Sequence, residues 1–305
     1  MKIEDKAKLL SGKGFWHTAD IEDENIPSIM MTDGPHGIRK EYQSEQPGLT
    51  KTYQATLFPA ATTVACTFNE EMAYKMGDAI GKEARAMDVQ VVLGPGVNIK
   101  RSPLCGRNFE YYSEDPYLAG TLGKNFIEGL QNNHVGASLK HFAANSQETM
   151  RLTADSIIDE RALREIYLKN FQIALQAKPA TVMCSYNKLN GSYASENKYL
   201  LTDVLRKDWK FKGLVISDWG AVSDRVKGLI SGLDLEMPSS NGYNTKKILE
   251  AYHNGQISEQ DIDRSASRVL SLVSKYKDNE IIPCDLEANH KLAQKIASEG
   301  IVLLK

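Results

Sequence analysis

The sequence predicts a single α/β barrel of the (β/α)8, TIM-like kind, and three observations carry that prediction. Short β-branched runs alternate with longer amphipathic stretches through most of the chain, the pattern of βα units around a parallel sheet. The runs are apolar almost throughout, which suits strands covered on both faces. Polar residues collect at or just past the C-terminal ends of different runs: Asp33, Lys140 with His141, Tyr186, Asp218 and Glu236. An open doubly wound sheet satisfies the first two observations equally well. Only a closed barrel gathers all these ends around one mouth, where barrel enzymes keep their chemistry. At 305 residues the chain has the length of one large barrel with a sizeable core.

In chain order the expected strands are 26–33 (IPSIMMTD), 61–68 (ATTVACTF), 89–97 (VQVVLGPGV), 135–142 (VGASLKHF), 180–186 (ATVMCSY), 213–218 (GLVISD) and 232–237 (GLDLEM). That set is one short of a full barrel, so an irregular or missing strand is expected. Helical periodicity marks 69–87, 159–177 and 202–209, the last opening on Thr202 as a cap. No internal repeat or low-complexity tract interrupts the series. The helical pattern breaks only at 277–285 (KDNEIIPCD).

The 37 Lys and Arg nearly balance the 39 Asp and Glu, which gives no reason to expect nucleic acid or another polyanion as partner. A small neutral or weakly charged ligand is expected instead. The first ten residues, MKIEDKAKLL, mix charges with short apolar pieces, and no 18-residue apolar run follows, so a cytoplasmic protein with no membrane span is expected. Cys66, Cys105, Cys184 and Cys284 lie far apart and form no CxxC pair, which reads as free thiols. The six histidines show no HxxxH or HxH spacing, and LGPGVNI does not complete the GxGxxG fingerprint. No metal or cofactor is expected.

Asp218 has two readings. As an ordinary good cap it would start a helix near Ala221. As a functional group it would be a carboxylate kept ionised by Lys140, Arg107 and Arg151, as a nucleophile must be. Trp219 beside it offers an apolar face for a pyranose, with polar groups left for the hydroxyls. Glu110, Glu114 and Asp115 read as carboxylates that hold the long loop after 89–97, and Glu148 and Glu236 as supporting groups.

Five stretches, TDGPHGIR (32–39), LGPGVNIKRSPLCGRNFEYYSEDPYLAG (93–120), KHFAANSQETMR (140–151), MCSYNKLNG (183–191) and ISDWGAV (216–222), resemble successive signatures of glycoside hydrolase family 3 in the family's order. The resemblance implies a retaining exo-glycosidase that releases a terminal β-D-glucosyl residue from a small oligosaccharide or an aryl or alkyl β-glycoside. It implies Asp218 as the nucleophile, Trp219 as a wall of the sugar site, and Asp33 as the grip on the hydroxyls farthest from the anomeric carbon. Arg107, Lys140, His141, Arg151 and Tyr186 match positions that bind the remaining hydroxyls and orient the nucleophile. β-Xylosidase, α-arabinosidase and β-N-acetylglucosaminidase activities of the same family stay open, as does a non-catalytic sugar-binding barrel. A barrel for phosphorylated metabolites would need a Gly-rich phosphate loop, for which MPSSNG (237–242) is thin support.

Retaining hydrolysis needs a second carboxyl to protonate the leaving oxygen. KHFAANSQE lacks the KHFPGHGD-like string of the family's smaller members, and ASEGIVLLK (297–305) resembles the opening of a second domain that carries the acid/base in larger members. The expected division is therefore a catalytic barrel over 1–280, then a linker and the start of a C-terminal α/β sandwich domain over 281–305. That domain, or a second chain, is the expected protein partner.

Overall fold

The computed structural model describes residues 1–42 and 51–305. Its strands are β1 (Gly12–Lys13), β2 (His17–Thr18), β3 (Met31–Asp33), β4 (Val91–Leu93), β5 (Gly136–Phe142), β6 (Asp155–Ser156), β7 (Thr181–Cys184), β8 (Lys188–Leu189), β9 (Ser192–Tyr193) and β10 (Leu214–Ile216). Five of them form a parallel sheet in the order β10-β7-β5-β4-β3. The alternation of each strand explains why it is buried on both sides. Val92, Val182 and Val215 point into one apolar cluster with the surrounding helices, while Val91, Leu93, Met183, Leu214 and Ile216 join a second.

Single-residue bridges carry the ring onward. Ile216 pairs with Leu235, Glu236 with Ser11, and His17 with Met30, while the β1–β2 hairpin spans the gap. Backbone bonds from Gly12 N to Glu236 O (3.0 Å) and from Met31 N to Trp16 O (2.8 Å) hold the two seams. The result is an α/β barrel whose start is irregular, with β2 running against its neighbours. The three short strands β6, β8 and β9 form a separate small sheet.

The outer layer is made by helices. In order they are α1 (Ile3–Leu9), α2 (Ala61–Cys66), α3 (Glu70–Ala86), α4 (Pro116–Gln131), α5 (Glu160–Ala162), α6 (Lys169–Ala174), α7 (Arg225–Ser231), α8 (Tyr243–His253), α9 (Glu259–Tyr276) and α10 (Leu286–Gly300). Six of them (α3, α4, α5, α7, α9 and α10) begin on a side-chain cap. The Asn69 side chain accepts from Glu71 N (3.0 Å) to start α3, and Asp115 accepts from Leu118 N (2.7 Å) ahead of Pro116 to start α4. Gly77 and Gly129 let α3 and α4 meet backbone to backbone, since a Cβ at either would strike the other helix's carbonyl, of Phe126 or Tyr74. Met72, Met76 and Ile80 then pack on Leu122, Phe126 and Leu130, each such burial stabilising by roughly 1.5–3 kcal/mol.

Two expectations fail. Residues 61–68 are not a strand: Ala61, Val64 and Ala65 bury one face of α2, which packs on α10. Such a short apolar run fits either period, and its packing partner decides. Thr202 caps nothing, because its helical stretch begins earlier, as a π-helical turn over Tyr199–Asp208, and its hydroxyl instead donates to Ser231 O (2.8 Å). Helix α10, within the expected linker region, lies against α2 and α3 and buries Asn289, Ala293 and Ile296. No helix of the described residues is long and apolar enough to cross a membrane.

Candidate active site

The strand ends meet as the alternation pattern requires. Asp33 closes β3, Lys140 and His141 are among the last three residues of β5, and Tyr186 and Asp218 stand two residues past β7 and β10. The peptides Lys140–His141 and Phe142–Ala143 are cis. Arg107 and Glu110 come from the long loop after β4, on a 3-10 turn at Asn108–Glu110.

These groups form one continuous polar chain. Asp33 Oδ1 lies 3.3 Å from Lys140 Nζ, which is 3.6 Å from Glu110 Oε2. Arg107 Nε donates to Glu110 Oε1 (2.5 Å), its Nη2 contacts His141 Nε2 (2.7 Å), and its Nη1 stands 3.8 Å from Asp218 Oδ2. Because guanidinium only donates, His141 Nε2 must accept, which places the ring proton on Nδ1, 2.9 Å from the Tyr111 hydroxyl. Burial, with Arg107 and Lys140 nearby, pushes the His141 pKa well below its ordinary value, so this imidazole is neutral.

Asp218 is 6 % exposed, and its two oxygens differ. Oδ1 accepts from Trp219 N (2.8 Å), whereas Oδ2 is buried with no hydrogen-bond partner and points toward Arg107 and His141 Nε2 (3.6 Å). Burial raises the Asp218 pKa above the usual aspartate range, although Arg107, Lys140 and the Trp219 N–H all work the other way. The capping reading is excluded here: α7 begins at Arg225 and is capped by Asp224. Glu110 is the opposite case. Burial works upward on it too, yet Lys140 and Arg107 outweigh it and hold the carboxyl below its ordinary value.

Trp219 is fixed by its Nε1 donating to Phe15 O (2.8 Å) and by the Trp16 ring at 5.5 Å. The Tyr186 hydroxyl donates to Trp219 O (2.9 Å), and the Arg151 guanidinium lies 4.3 Å above the Tyr186 ring while pairing with Glu148 (2.8 Å). A cavity of about 400 Å³ opens beside the chain, walled by Asp33, His36, Arg107, Phe109, Glu110 and Lys140. Asp218, Tyr186 and Trp219 stand outside that wall, with Arg107 joining the two halves.

Thus Asp33, Arg107, Lys140, His141 and Asp218 form one network, Tyr186 and Trp219 adjoin Asp218, and Arg151 stands a layer further out. Sequence reasoning missed two groups. Glu110 touches two cations rather than loop amides, and the signal was its i,i+3 spacing from Arg107. His36 lines the cavity, with burial bringing its pKa down to about 4. Among the described residues no group of three or more His, Cys, Asp or Glu is placed to hold a metal.

Fold and site together define an α/β barrel of the class that does its chemistry at the C-terminal mouth. Residues 18–272 match the model described as the glycosyl hydrolase family 3 N terminal domain, and the chain belongs to that family. It is 53 % identical over its whole length to the thermostable β-glucosidase B of Acetivibrio thermocellus, spanning 41 % of that protein. It is 47 % identical to an exo-α-(1→6)-L-arabinopyranosidase of Bifidobacterium longum, again over its whole length and 41 % of the relative. The β-glucosidase 3B of Thermotoga neapolitana, solved in complex with α-D-glucose, superposes with a TM-score of 0.94 at 39 % identity, over all of this chain and 46 % of that one. The chain therefore spans about two fifths of the length of these curated relatives.

Proposed function

We propose that this chain is the sugar-binding, nucleophile-bearing barrel of a retaining β-glucosidase. The observation that carries the reading is the unpartnered, buried Oδ2 of Asp218 beside an oriented guanidinium. Its partner oxygen is pinned by Trp219 N, so the free lone pair has a fixed direction, which is what attack on an anomeric carbon needs. In that step Oδ2 bonds to the anomeric carbon as the glycosidic bond breaks, and the aglycone oxygen takes its proton from a general acid. Water then cleaves the glycosyl ester. The cluster sets three carboxylates, Asp33, Glu110 and Asp218, against two cations, Lys140 and Arg107, a field that favours the positive charge of an oxocarbenium-like transition state.

The acid is not one of these groups. Glu110 is held ionised by Lys140 and Arg107, Asp33 is paired with Lys140, and His141 is neutral with both ring nitrogens engaged. We therefore assign the acid/base to a further domain of a longer polypeptide or to a second chain. The length of the relatives supports this.

Asp33, at the far side of the cavity and 43 % exposed at its side chain, would grip the outer hydroxyls and favours a glucosyl ring. The arabinopyranosidase relative favours a second reading, a pentopyranoside substrate. Intact mass after incubation with an activated 2-deoxy-2-fluoro-β-glucoside tests the first, with Asp218→Ala as control. An adduct lost in the control supports the assignment; labelling that survives in Asp218→Ala refutes it. Labelling by the matching activated arabinopyranoside in place of the glucoside would move the choice to the second reading.

A further inference from the structure

The other end of the barrel carries a second cavity, of about 480 Å³, below the N-terminal ends of β7 and β10. Leu214 lies four residues before Asp218, so the two sites are about 13 Å apart along one strand direction. The walls are apolar and largely aromatic: Trp209, Phe211, Leu214, Leu272 and Tyr276. The Tyr276 hydroxyl is buried and has no hydrogen-bond partner. The rim is cationic, with Lys178, Lys210, Lys212 and Lys275 exposed around the opening.

No aspartate or glutamate lines this cavity. Among the described residues none of the four lysines has an ion-pair partner; Lys275 lies 5.0 Å over the Tyr276 ring. Elsewhere on the surface some lysines, such as Lys75, Lys82 and Lys207, are matched by a carboxylate one turn away and others, such as Lys198 and Lys247, are not matched among the described residues; these four differ in sharing one opening. Arg268, which also reaches the wall, is held by Asp234 (2.7 Å) and is not available. An apolar pocket of this volume with convergent, unmatched cations has the anatomy of a small-molecule site.

We propose that this cavity binds a small organic anion with a flat apolar body, such as an aryl carboxylate or sulfonate. The ring would lie against Trp209 and Phe211, and the anionic group would meet Lys212 and Lys275. The proposal is independent of the sugar site, and its test reads binding rather than turnover.

Calorimetric titration of the 305-residue chain with naphthalene-2-sulfonate, 2-naphthalenemethanol and inorganic phosphate tests it. The sulfonate should bind at one site per chain, with the alcohol and phosphate each at least about tenfold weaker, a difference of about 1.4 kcal/mol. Lys212→Gln with Lys275→Gln, both exposed positions, should weaken the sulfonate about tenfold and leave the alcohol and the melting temperature unchanged. Equal binding of sulfonate and alcohol, phosphate binding as tightly as the sulfonate, no effect of the double variant, or displacement of the sulfonate by glucose would each overturn the proposal.

Discussion

Asp218 and Asp234 are both buried aspartates next to β10, Asp218 two residues past its end and Asp234 alongside Val215 at its middle, and they are treated in opposite ways. Asp234 has all its oxygen capacity in use: Oδ2 accepts from Arg206 Nη2 (2.7 Å) and Val215 N (2.9 Å), Oδ1 from Arg268 Nη1 (2.7 Å) and the Ser265 hydroxyl (2.9 Å). Asp218 has one oxygen held by a backbone amide, whereas the other has no hydrogen bond and only looser neighbours, Arg107 at 3.8 Å and His141 at 3.6 Å. A satisfied carboxylate ties elements together, whereas one left short of partners pays for its burial in reactivity. The comparison separates a fully bonded carboxylate from one left short of partners on geometry alone, even though both are buried and both face arginine.

The comparison breaks most sharply at Asp218. Asp218→Asn should cut the rate of covalent labelling by an activated fluoroglucoside by a factor on the order of 10³ or more, measured by mass spectrometry over time, with the fold intact. Asp234→Ala should do the reverse, leaving two arginines facing an empty buried site at a cost of about 3–5 kcal/mol in a denaturant titration. If Asp234→Ala unfolds at the wild-type midpoint, the assignment of Asp234 as the tie is wrong. Arg107→Lys should slow labelling by about 10–100-fold, because a single ammonium cannot meet Glu110, His141 and Asp218 at once as the guanidinium fork does.

The smallest effect concerns pH. The folded-state pKa of Asp218 is raised, so the native chain holds this proton longer than the unfolded chain, and the group's contribution to stability is lost as pH rises from the ordinary aspartate value through the raised one. Asp218→Asn should accordingly melt above the wild type at neutral pH and lose that advantage below about pH 3.9. Labelling of the wild type should rise over the same window, as the carboxylate ionises. A variant that melts lower at neutral pH would mean that the cations around Asp218 outweigh its burial.

Much of this was legible in the sequence because a parallel strand announces itself twice, by an apolar run and by the polar residue that ends it. Asp33, Lys140, His141 and Asp218 were found that way, and the structure brings them together. The barrel's seams were not legible. Leu235 and Glu236 fall in the expected strand 232–237, but their partners do not show: Ser11 makes a single bridge and His17 belongs to a two-residue hairpin strand, too short to leave a period to read. ATTVACTF fits a strand or a helix until its partner is known, and that partner, α10, lies more than 200 residues away. Glu110 was set aside for a related reason: its second cation, Lys140, arrives from a different strand.

The seam at Ser11 and Glu236 also dictates an order of events. Arg225, 1 % exposed, donates to Leu10 O (3.2 Å) and Asp234 O (2.9 Å), so the same guanidinium grips chain segments made at the beginning and near the completion of the barrel. At roughly 5–20 residues per second of synthesis, the β1–β2 hairpin waits on the order of 10–45 s for its neighbour to be made. Until then the Ser11–Gly12 side of the first hairpin and, once it is made, β10 are the open borders of a curled sheet on the nascent chain, edges that a chaperone, or a neighbouring ribosome's product, can reach.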